Sequence, residues 1–393
     1  MKFVATVIIL IIALTVVIDI RLYKRLKQQN RKRLKNALAA FSAVIYSLIL
    51  TSIACILFKL VGVLATFYWI FFAGMTGLFL KIITYAFFFL AKIPRLFRKS
   101  EWHFLKYTGA VLGIFAFGVM WWSALVTPAM LETKEETIFF DNLPDEFDGY
   151  KIVQFSDFHA GTFTGRSFIA KNIVKEINSH NPDAILFTGD IVNSRTDEIY
   201  PFIPILKELK AKDGVYSVLG NHDYGDYYQW NSPTEKEENL QKLITIERDS
   251  LKWNLLNNEH IIIRHASDSI AIVGVENWGE PPFPAYGNII KAIPDTSTFS
   301  VLLSHNPNHW DHEVIGKENI ALTLSGHTHA MQTIFRLGKL EYSPSSKKYK
   351  YWKGLYQKGK QYLYVNIGCG EVGIPARYGA YPEITIITLK KSK

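Results

Sequence analysis

The sequence predicts an α/β fold, two sheets packed face to face with helices outside, behind a head of about four membrane-spanning helices. Three features predict it. Apolar runs of roughly 18 to 25 residues fill positions 3 to 127, each long enough to cross about 30 Å of hydrocarbon. From about residue 132 the pattern changes to short β-branched runs alternating with helical or loop segments. Five of those short runs share an ending, stopping abruptly at Asp, Asn or His.

The spans come first in the chain. The first is "FVATVIILIIALTVVIDI", the second lies within 37 to 58, the third within 61 to 90, and the fourth covers about 107 to 127. Lys81 interrupts the third, which is longer than one crossing needs; tilt, or Lys81 snorkelling to an interface, accommodates it. A cleaved signal peptide fits the first span poorly. Only Lys2 precedes the apolar run, the basic charge follows it, and no small-x-small cleavage site is evident. The spans hold few ionisable groups, chiefly Lys59 and Lys81, so no transport path is indicated. Residues 1–130 are therefore read as a transmembrane domain and 131–393 as a second, globular domain.

The net charge of +9 raises nucleic acid as a partner, and the distribution of charge argues against it. Residues 1 to 131 hold 16 Lys and Arg against two acids, Asp19 and Glu101; the remainder holds 28 basic and 33 acidic residues. The positive charge belongs to "RLYKRLKQQNRKRLK" and "KIPRLFRKS", two loops separated by two spans and so on one side of the bilayer. The positive-inside rule makes that side cytoplasmic. The protein is thus expected in the cell membrane as a multi-pass chain, its amino terminus and its 131–393 domain extracytoplasmic. Trp121 and Trp122 stand near the outer end of the fourth span as interface anchors or as packing inside the bundle. Cys55 and Cys369 cannot form a disulfide framework and lack metal-ligand spacing, so the domain must rest on a hydrophobic core.

In the second part, "KIVQFSD", "AILFTGD", "VYSVLGNHD", "SVLLSHNP" and "IALTLSGHTH" read as strands that end in polar residues. Between the first two, Phe168, Ile169, Ile173, Val174 and Ile177 fall at helical spacing, closed by Asn181 and Pro182. The later runs "SIAIVGVEN", "QYLYVNIG" and "EITIITL", with little helix between them, suggest a second, more antiparallel sheet.

Strand ends carry the chemistry. Asp157 and His159 leave the first run, Asp190 the second, Asn221 and His222 the third, His305 the fourth, His327 and His329 the fifth. Loops at the ends of neighbouring strands converge, which gathers these residues into one site. Mixed oxygen and nitrogen donors without thiolate suit Mn, Fe, Zn, Ni or Co better than Ca. So many donors exceed one transition-metal ion, whereas two ions sharing a carboxylate use them all. A pair about 3.5 to 4 Å apart acidifies a bridging water and clamps phosphoryl oxygens, the arrangement phosphoester hydrolysis needs.

The ordered series DxH, GD, GNHD, H and GHxH, from about residue 148 to the end, resembles the calcineurin-like metallophosphoesterase superfamily. The resemblance implies a four-layer α/β/β/α sandwich. It implies one metal on Asp157, His159, Asp190 and His329, and a second on Asp190, Asn221, His305 and His327, with Asp190 bridging. It further implies that His222 faces the substrate phosphate as general acid or charge stabiliser, with Asp223 orienting its ring. The tail "GIPARYGAYPEITIITL" is similar to a membrane-attached subgroup that includes UDP-2,3-diacylglucosamine hydrolases and transmembrane proteins with a metallophosphoesterase domain. One departure stands out: the subgroup's GHTHGGQ is here "GHTHAMQ", with Ala330 and Met331 in place of two glycines. Arg377 is a candidate phosphate or head-group contact, or else the partner of Glu383 in a structural salt bridge.

Other histidines and motifs are read as bystanders. "GCGEVG" at 368 to 373 fits GxGxxG without the βαβ unit that motif requires. His309 and His312 are placed on the surface, and His180 and His260 lack partners at motif spacing. Ser156 and Ser304 lack a GxSxG context. "YGDYYQWNSPTEKEENLQ" is either a lid beside the site or a solvated loop and helix.

The expected function is a membrane-anchored, binuclear-metal phosphohydrolase acting on a phosphoester, lipid-linked substrates included, with the bilayer as its other partner and no nucleic acid. One alternative is a UDP-2,3-diacylglucosamine-type pyrophosphatase, which the extracytoplasmic orientation opposes. The other is a membrane scaffold or sensor with a structural metal site.

Overall fold

The structure is a computed structural model that describes residues 2–58, 66–281, 283–294, 298–316, 320–338 and 340–392, with side chains from residue 9 onward. Lys59 and positions 61–65 of the third expected span lie outside the described residues. The chain divides into two compact units, Met1–Ser123 and Ala124–Lys393.

The first unit is built from α1 (Lys2–Gln28), α2 (Lys32–Leu57), α3 (Phe67–Leu90) and most of α4 (His103–Leu125). Among the described residues, three segments, Lys32–Leu57, Phe67–Phe97 and His103–Ala129, are long and apolar enough to cross a membrane. Helix α1 contains the first expected span. Small residues let the helices approach: a Cβ on Gly77 of α3 would lie 2.7 Å from Ile45 of α2, and one on Gly113 of α4 2.7 Å from Leu80 of α3.

Lys81 does not snorkel. It is 3% exposed and donates to Asp19 Oδ2 at 2.5 Å and Ser42 Oγ at 2.7 Å, while the Tyr46 and Tyr85 hydroxyls also donate to Asp19. A cation and an anion meeting among α1, α2 and α3 neutralise each other where neither has water, which removes the need to reach an interface. Trp121 packs edge-on against Phe72 at 5.5 Å, whereas Trp122 is exposed.

The second unit holds two six-stranded sheets. Strands β1 (Glu132–Phe140), β2 (Lys151–Phe155), β3 (Ala184–Phe187), β4 (Val215–Ser217) and β5 (Asn254–Leu255) belong to the first. Strands β6 (Glu259–His265), β7 (Asp268–Gly274), β8 (Ser300–Leu303) and β9 (Leu322–Ser325) belong to the second. A separate hairpin follows, β10 (Phe335–Leu337) and β11 (Leu340–Tyr342). Strands β12 (Gly354–Lys358) and β13 (Gln361–Val365) complete the second sheet, and β14 (Glu383–Lys391) returns to the first. The orders are β1-β14-β2-β3-β4-β5 and β12-β13-β9-β8-β7-β6.

Two expectations about the sheets are corrected. The run "EITIITL" is β14 and lies in the first sheet, parallel to β1 and antiparallel to β2. The second sheet is antiparallel only at its edge pairs, β12 with β13 and β6 with β7; β13, β9, β8 and β7 run parallel. Sequence spacing hid this because the crossover connections are irregular loops and short turns rather than long helices.

Alternation within the strands builds the layers. Ile152, Leu186, Val301, Leu303, Leu322 and Leu324 fill a core between the sheets. Their neighbours Val153, Ile185 and Phe187 turn to the outer face, where α5 (Ser167–Ser179) lays Ile169, Ile173, Val174 and Ile177. On the far side Leu302, Val273 and Val365 pack under Trp310, Val314 and Ile289. Period-two strands buried on both faces give helix, sheet, sheet and helical turns in four layers.

Candidate metal centre

The parallel strands β2, β3, β4, β8 and β9 all end on the site. Asp157 and His159 follow β2, Asp190 follows β3, Asn221 follows β4, His305 follows β8, and His327 and His329 follow β9. Convergence at the carboxyl ends of parallel strands is what the topology makes available. The turns are tight: Asp157, His159, Asp190, His327 and His329 have φ between 46 and 71°. Such left-handed backbone costs an L-residue roughly 1–2 kcal/mol and persists where surrounding contacts over-determine it. Gly189 is required here as well, since its φ is 95° and a Cβ would lie 2.6 Å from the Gly220 nitrogen.

Two groups of donor atoms result, Asp157 with His159 and His329, and Asp157 with Asp190 and His305, each within 4.8 Å of one another. In the first group the Nε2 atoms of His159 and His329 are 3.1 Å apart, and His329 Nε2 is 3.1 Å from Asp157 Oδ1. In the second, His305 Nε2 is 3.1 Å from Asp190 Oδ2 and 3.2 Å from Asn221 Oδ1. Asp190 Oδ2 also lies 3.7 Å from His159 Nε2, so this carboxylate faces both groups. His327 Nδ1 joins the second, 2.7 Å from Asn221 Oδ1 and 3.2 Å from His305 Nε2.

The donor set fits metal ions. Thr188 carbonyl accepts the Nδ1–H of His305 at 2.7 Å, which aims Nε2 at the Asp190 and Asn221 oxygens. His327 repeats the pattern: with Nδ1 toward the cluster, Nε2–H donates to the Tyr349 hydroxyl at 2.9 Å. Lone pairs this close repel unless positive charge stands among them, and outward donation fixes each ring for that purpose.

The electrostatics state the same demand. Burial alone would lower His305, yet the Asp190 and Asp157 carboxylates lift it to about 9. Burial, then the charge on His305, pull neighbouring His327 down to about 3. Burial opposes ionisation of Asp157 and Asp190 too, but the facing histidines hold both below the usual carboxylate value. Anions here survive burial only through adjacent cations.

Residues 150–331 match the model of the calcineurin-like phosphoesterase family. The chain is 35% identical over 269 residues to the uncharacterized metallophosphoesterase YkuE of Bacillus subtilis, covering 67% of this chain and 87% of that one. The chain belongs to the calcineurin-like phosphoesterase family. It is also 30% identical to the transmembrane protein with metallophosphoesterase domain of Danio rerio, over 64% of this chain and 56% of the relative. The solved NAD nucleotidase of Haemophilus influenzae is 14% identical, with a TM-score of 0.35 over 56% of this chain and 45% of its own. As a metallophosphoesterase, the chain is a metal-dependent hydrolase.

Within this metallophosphoesterase site, three expected roles change. Asp223 does not orient the His222 ring. Its buried carboxylate accepts the backbone N–H of Asp190 at 2.9 Å, Gly220 at 2.8 Å, Ile191 at 2.9 Å and Val192 at 3.2 Å, which ties the loops after β3 and β4 together. Burial and the charge of Asp190 raise it to about 7. The His222 ring is held instead by the Asn193 carbonyl, 2.6 Å from Nδ1.

Arg377 is fully buried and forms no ion pair with Glu383 among the described residues. Its guanidinium donates to the carbonyls of Ile367, Gly370 and Ala380 and lies 3.3 Å from His329 Nδ1, behind the centre. Arginine suits that place because one planar fork serves several carbonyls. His309 is buried too, because Ser304 Oγ at 2.9 Å, Glu313 at 3.2 Å and the Trp278 ring enclose it; His312 is exposed as expected.

The aromatic insertion reaches the site. Tyr227 stacks on His222 at 4.1 Å and accepts from Asn221 Nδ2 at 2.9 Å, while the rest continues as a helix, Pro233–Thr245, capped by Ser232. Its aromatic richness was the available signal. Tyr349 and the Asn193 carbonyl carried none. Ala330 and Met331 adopt φ of 50° and 46°, so the backbone retains the left-handed path glycine would take. Burial of Ala330 with Ile334, Ile367 and Ala380 offsets that strain.

Proposed function

We propose that this metallophosphoesterase is a multi-pass membrane enzyme that hydrolyses a phosphoester with two divalent cations. The transmembrane part spans residues 1–130 and the catalytic part 131–393. Asp157, His159, Asp190 and His329 would hold one cation; Asp190, Asn221, His305 and His327 would hold the other. A bound pair supplies Lewis acidity for the phosphoryl oxygens and lowers the pKa of water toward neutrality. His222, whose Nδ1–H is engaged by the Asn193 carbonyl, would face the substrate phosphate with Nε2, as proton donor to the leaving oxygen or as stabiliser of transition-state charge. Asp223 and Arg377 act through the loops they hold.

The observation that carries this reading is the approach of Asp190 to both His159 and His305, at 3.7 and 3.1 Å, in a buried group of acceptors. The test is hydrolysis of bis-p-nitrophenyl phosphate by the full chain in detergent with added Mn. Metal-dependent turnover should nearly vanish in Asp190→Asn. Equal turnover in that variant rejects the assignment.

Two basic loops, 21–35 and 92–99, support a cytoplasmic side for both and hence an extracytoplasmic catalytic part. A reporter fused after the last residue decides it. Activity of an alkaline phosphatase fusion is expected, and signal only from a cytoplasmic reporter reverses the orientation.

A further inference from the structure

The β10–β11 hairpin is amphipathic, and among the described residues nothing covers its apolar face. Its register sets Phe335 opposite Tyr342, Arg336 opposite Glu341, and Leu337 opposite Leu340. Side chains alternate across a strand, so Phe335, Leu337, Leu340 and Tyr342 share one face. Arg336 and Glu341 pair on the other at 2.9 Å, with Lys353 on the same glutamate at 2.5 Å. Leu337 is 79% exposed and Leu340 74%. A two-stranded hairpin has no core of its own, and large apolar side chains gathered on one face of it mark an interaction surface.

The surface continues beyond the hairpin. Phe335 touches Tyr378 at 5.5 Å, Thr333 bridges to Tyr378, and Met331, Ile374 and Tyr378 are all exposed. The chain enters this unit at the same place. Thr127, at the end of the apolar segment His103–Ala129, donates to the Arg377 carbonyl at 2.6 Å, one residue before Tyr378. Tyrosines at the rim and the exposed Lys347 and Lys348 after β11 suit a headgroup layer with anionic lipid.

We propose that the apolar face of the β10–β11 hairpin inserts into the lipid bilayer interface, and that the metal centre acts on phosphoester headgroups of bilayer lipids. The second clause rests on the function proposed above. The hairpin is rooted in the centre: Met331 follows His329 by two residues, and Ala330 and Ile334 pack with Ile367 and Ala380 between them. Insertion would therefore hold the loop that bears His327 and His329 beside the headgroups.

The test uses the full chain in nanodiscs of phosphatidylcholine and phosphatidylglycerol. An environment-sensitive fluorophore is placed at Leu337→Cys or Leu340→Cys, with exposed Lys210→Cys as the aqueous control. The unchanged chain, whose Cys55 and Cys369 are buried, is the labelling blank. Lipids brominated on the acyl chains should remove roughly half or more of the emission at Leu337 and Leu340 and leave Lys210 unaffected, as apolar burial in the interface requires. Aqueous iodide quenching equal to that at Lys210 overturns insertion, and so does cross-quenching between copies in place of lipid quenching, which would assign the face to a second copy. Combined Leu337→Glu and Leu340→Glu should lower hydrolysis of nanodisc phospholipid about tenfold while bis-p-nitrophenyl phosphate turnover is unchanged, which also reports folding. Equal rates on phospholipid overturn the substrate clause. Failure of the unchanged chain on both substrates rejects the catalytic reading and leaves the quenching result to stand on its own.

Discussion

His222 Nδ1 lies 2.6 Å from the Asn193 carbonyl, while the His222 backbone N–H donates to Asp190 Oδ1 at 2.8 Å. One residue is thus fixed at both ends, its ring by a carbonyl and its main chain by the carboxylate that faces both donor groups. His222→Ala removes a proton donor and no expected metal ligand. It should lower kcat by roughly 100- to 10,000-fold with metal content unchanged. Parallel turnover and elemental measurements check this; loss of metal would make His222 a ligand.

Asp223 receives four backbone N–H groups. Asp223→Ala strands them in a buried place, at about 1–3 kcal/mol for an unsatisfied group, less than additively for the set. Lower thermal stability and weaker metal retention are expected together. Asp223→Asn keeps an acceptor and should fall between. A thermal denaturation series with and without added Mn checks both.

Arg377 donates to the carbonyls of Ile367, Gly370 and Ala380 and lies 3.3 Å from His329 Nδ1. Arg377→Met leaves those buried carbonyls without donors and loosens the loops behind His329, so it should weaken metal affinity and leave KM at saturating metal unchanged. Titration of Mn against activity separates the two. A raised KM with unchanged metal affinity would restore the substrate contact expected from sequence.

Glu247 offers a pH test away from the centre. It is fully buried and accepts from Ser217 Oγ at 2.6 Å, and among the described residues its other oxygen has no hydrogen-bond partner. Burial, then the Asp223 charge, push it up to about 8. Its folded value lies above the unfolded one, so the folded state holds the proton longer. The stability this gives is complete below about pH 4.5 and lost as pH rises through 8. Glu247→Gln should therefore flatten the fall in melting temperature between pH 5 and pH 8. An identical pH slope in variant and unchanged chain contradicts the shift.

Much of the site was legible because ligand types repeat at strand ends. Asp157, His159, Asp190, His305 and His329 stand in short motifs after β-branched runs, and the structure gathers all five. What escaped is contact made across sequence. Asp223 sits in GNHD beside His222, yet its partners are backbone N–H groups, and main-chain donors leave no mark in a sequence. Arg377 reads as a free cation because burial is invisible when its acceptors are carbonyls. Asp19 and Lys81 stand 62 positions apart on different helices, so Lys81 read only as an interruption of the third span. Strand β14 was placed in the wrong sheet because its apolar pattern is the same on either side of the core.

The central claim is that Asp190 serves two cations at once. Elemental analysis of the full chain, dialysed against metal-free buffer after loading, tests it most directly. The account predicts about two transition-metal equivalents per chain, falling to about one or fewer in Asp190→Asn, since a bridging carboxylate belongs to both sites. A single equivalent in the unchanged chain, or the same count in both proteins, would contradict it.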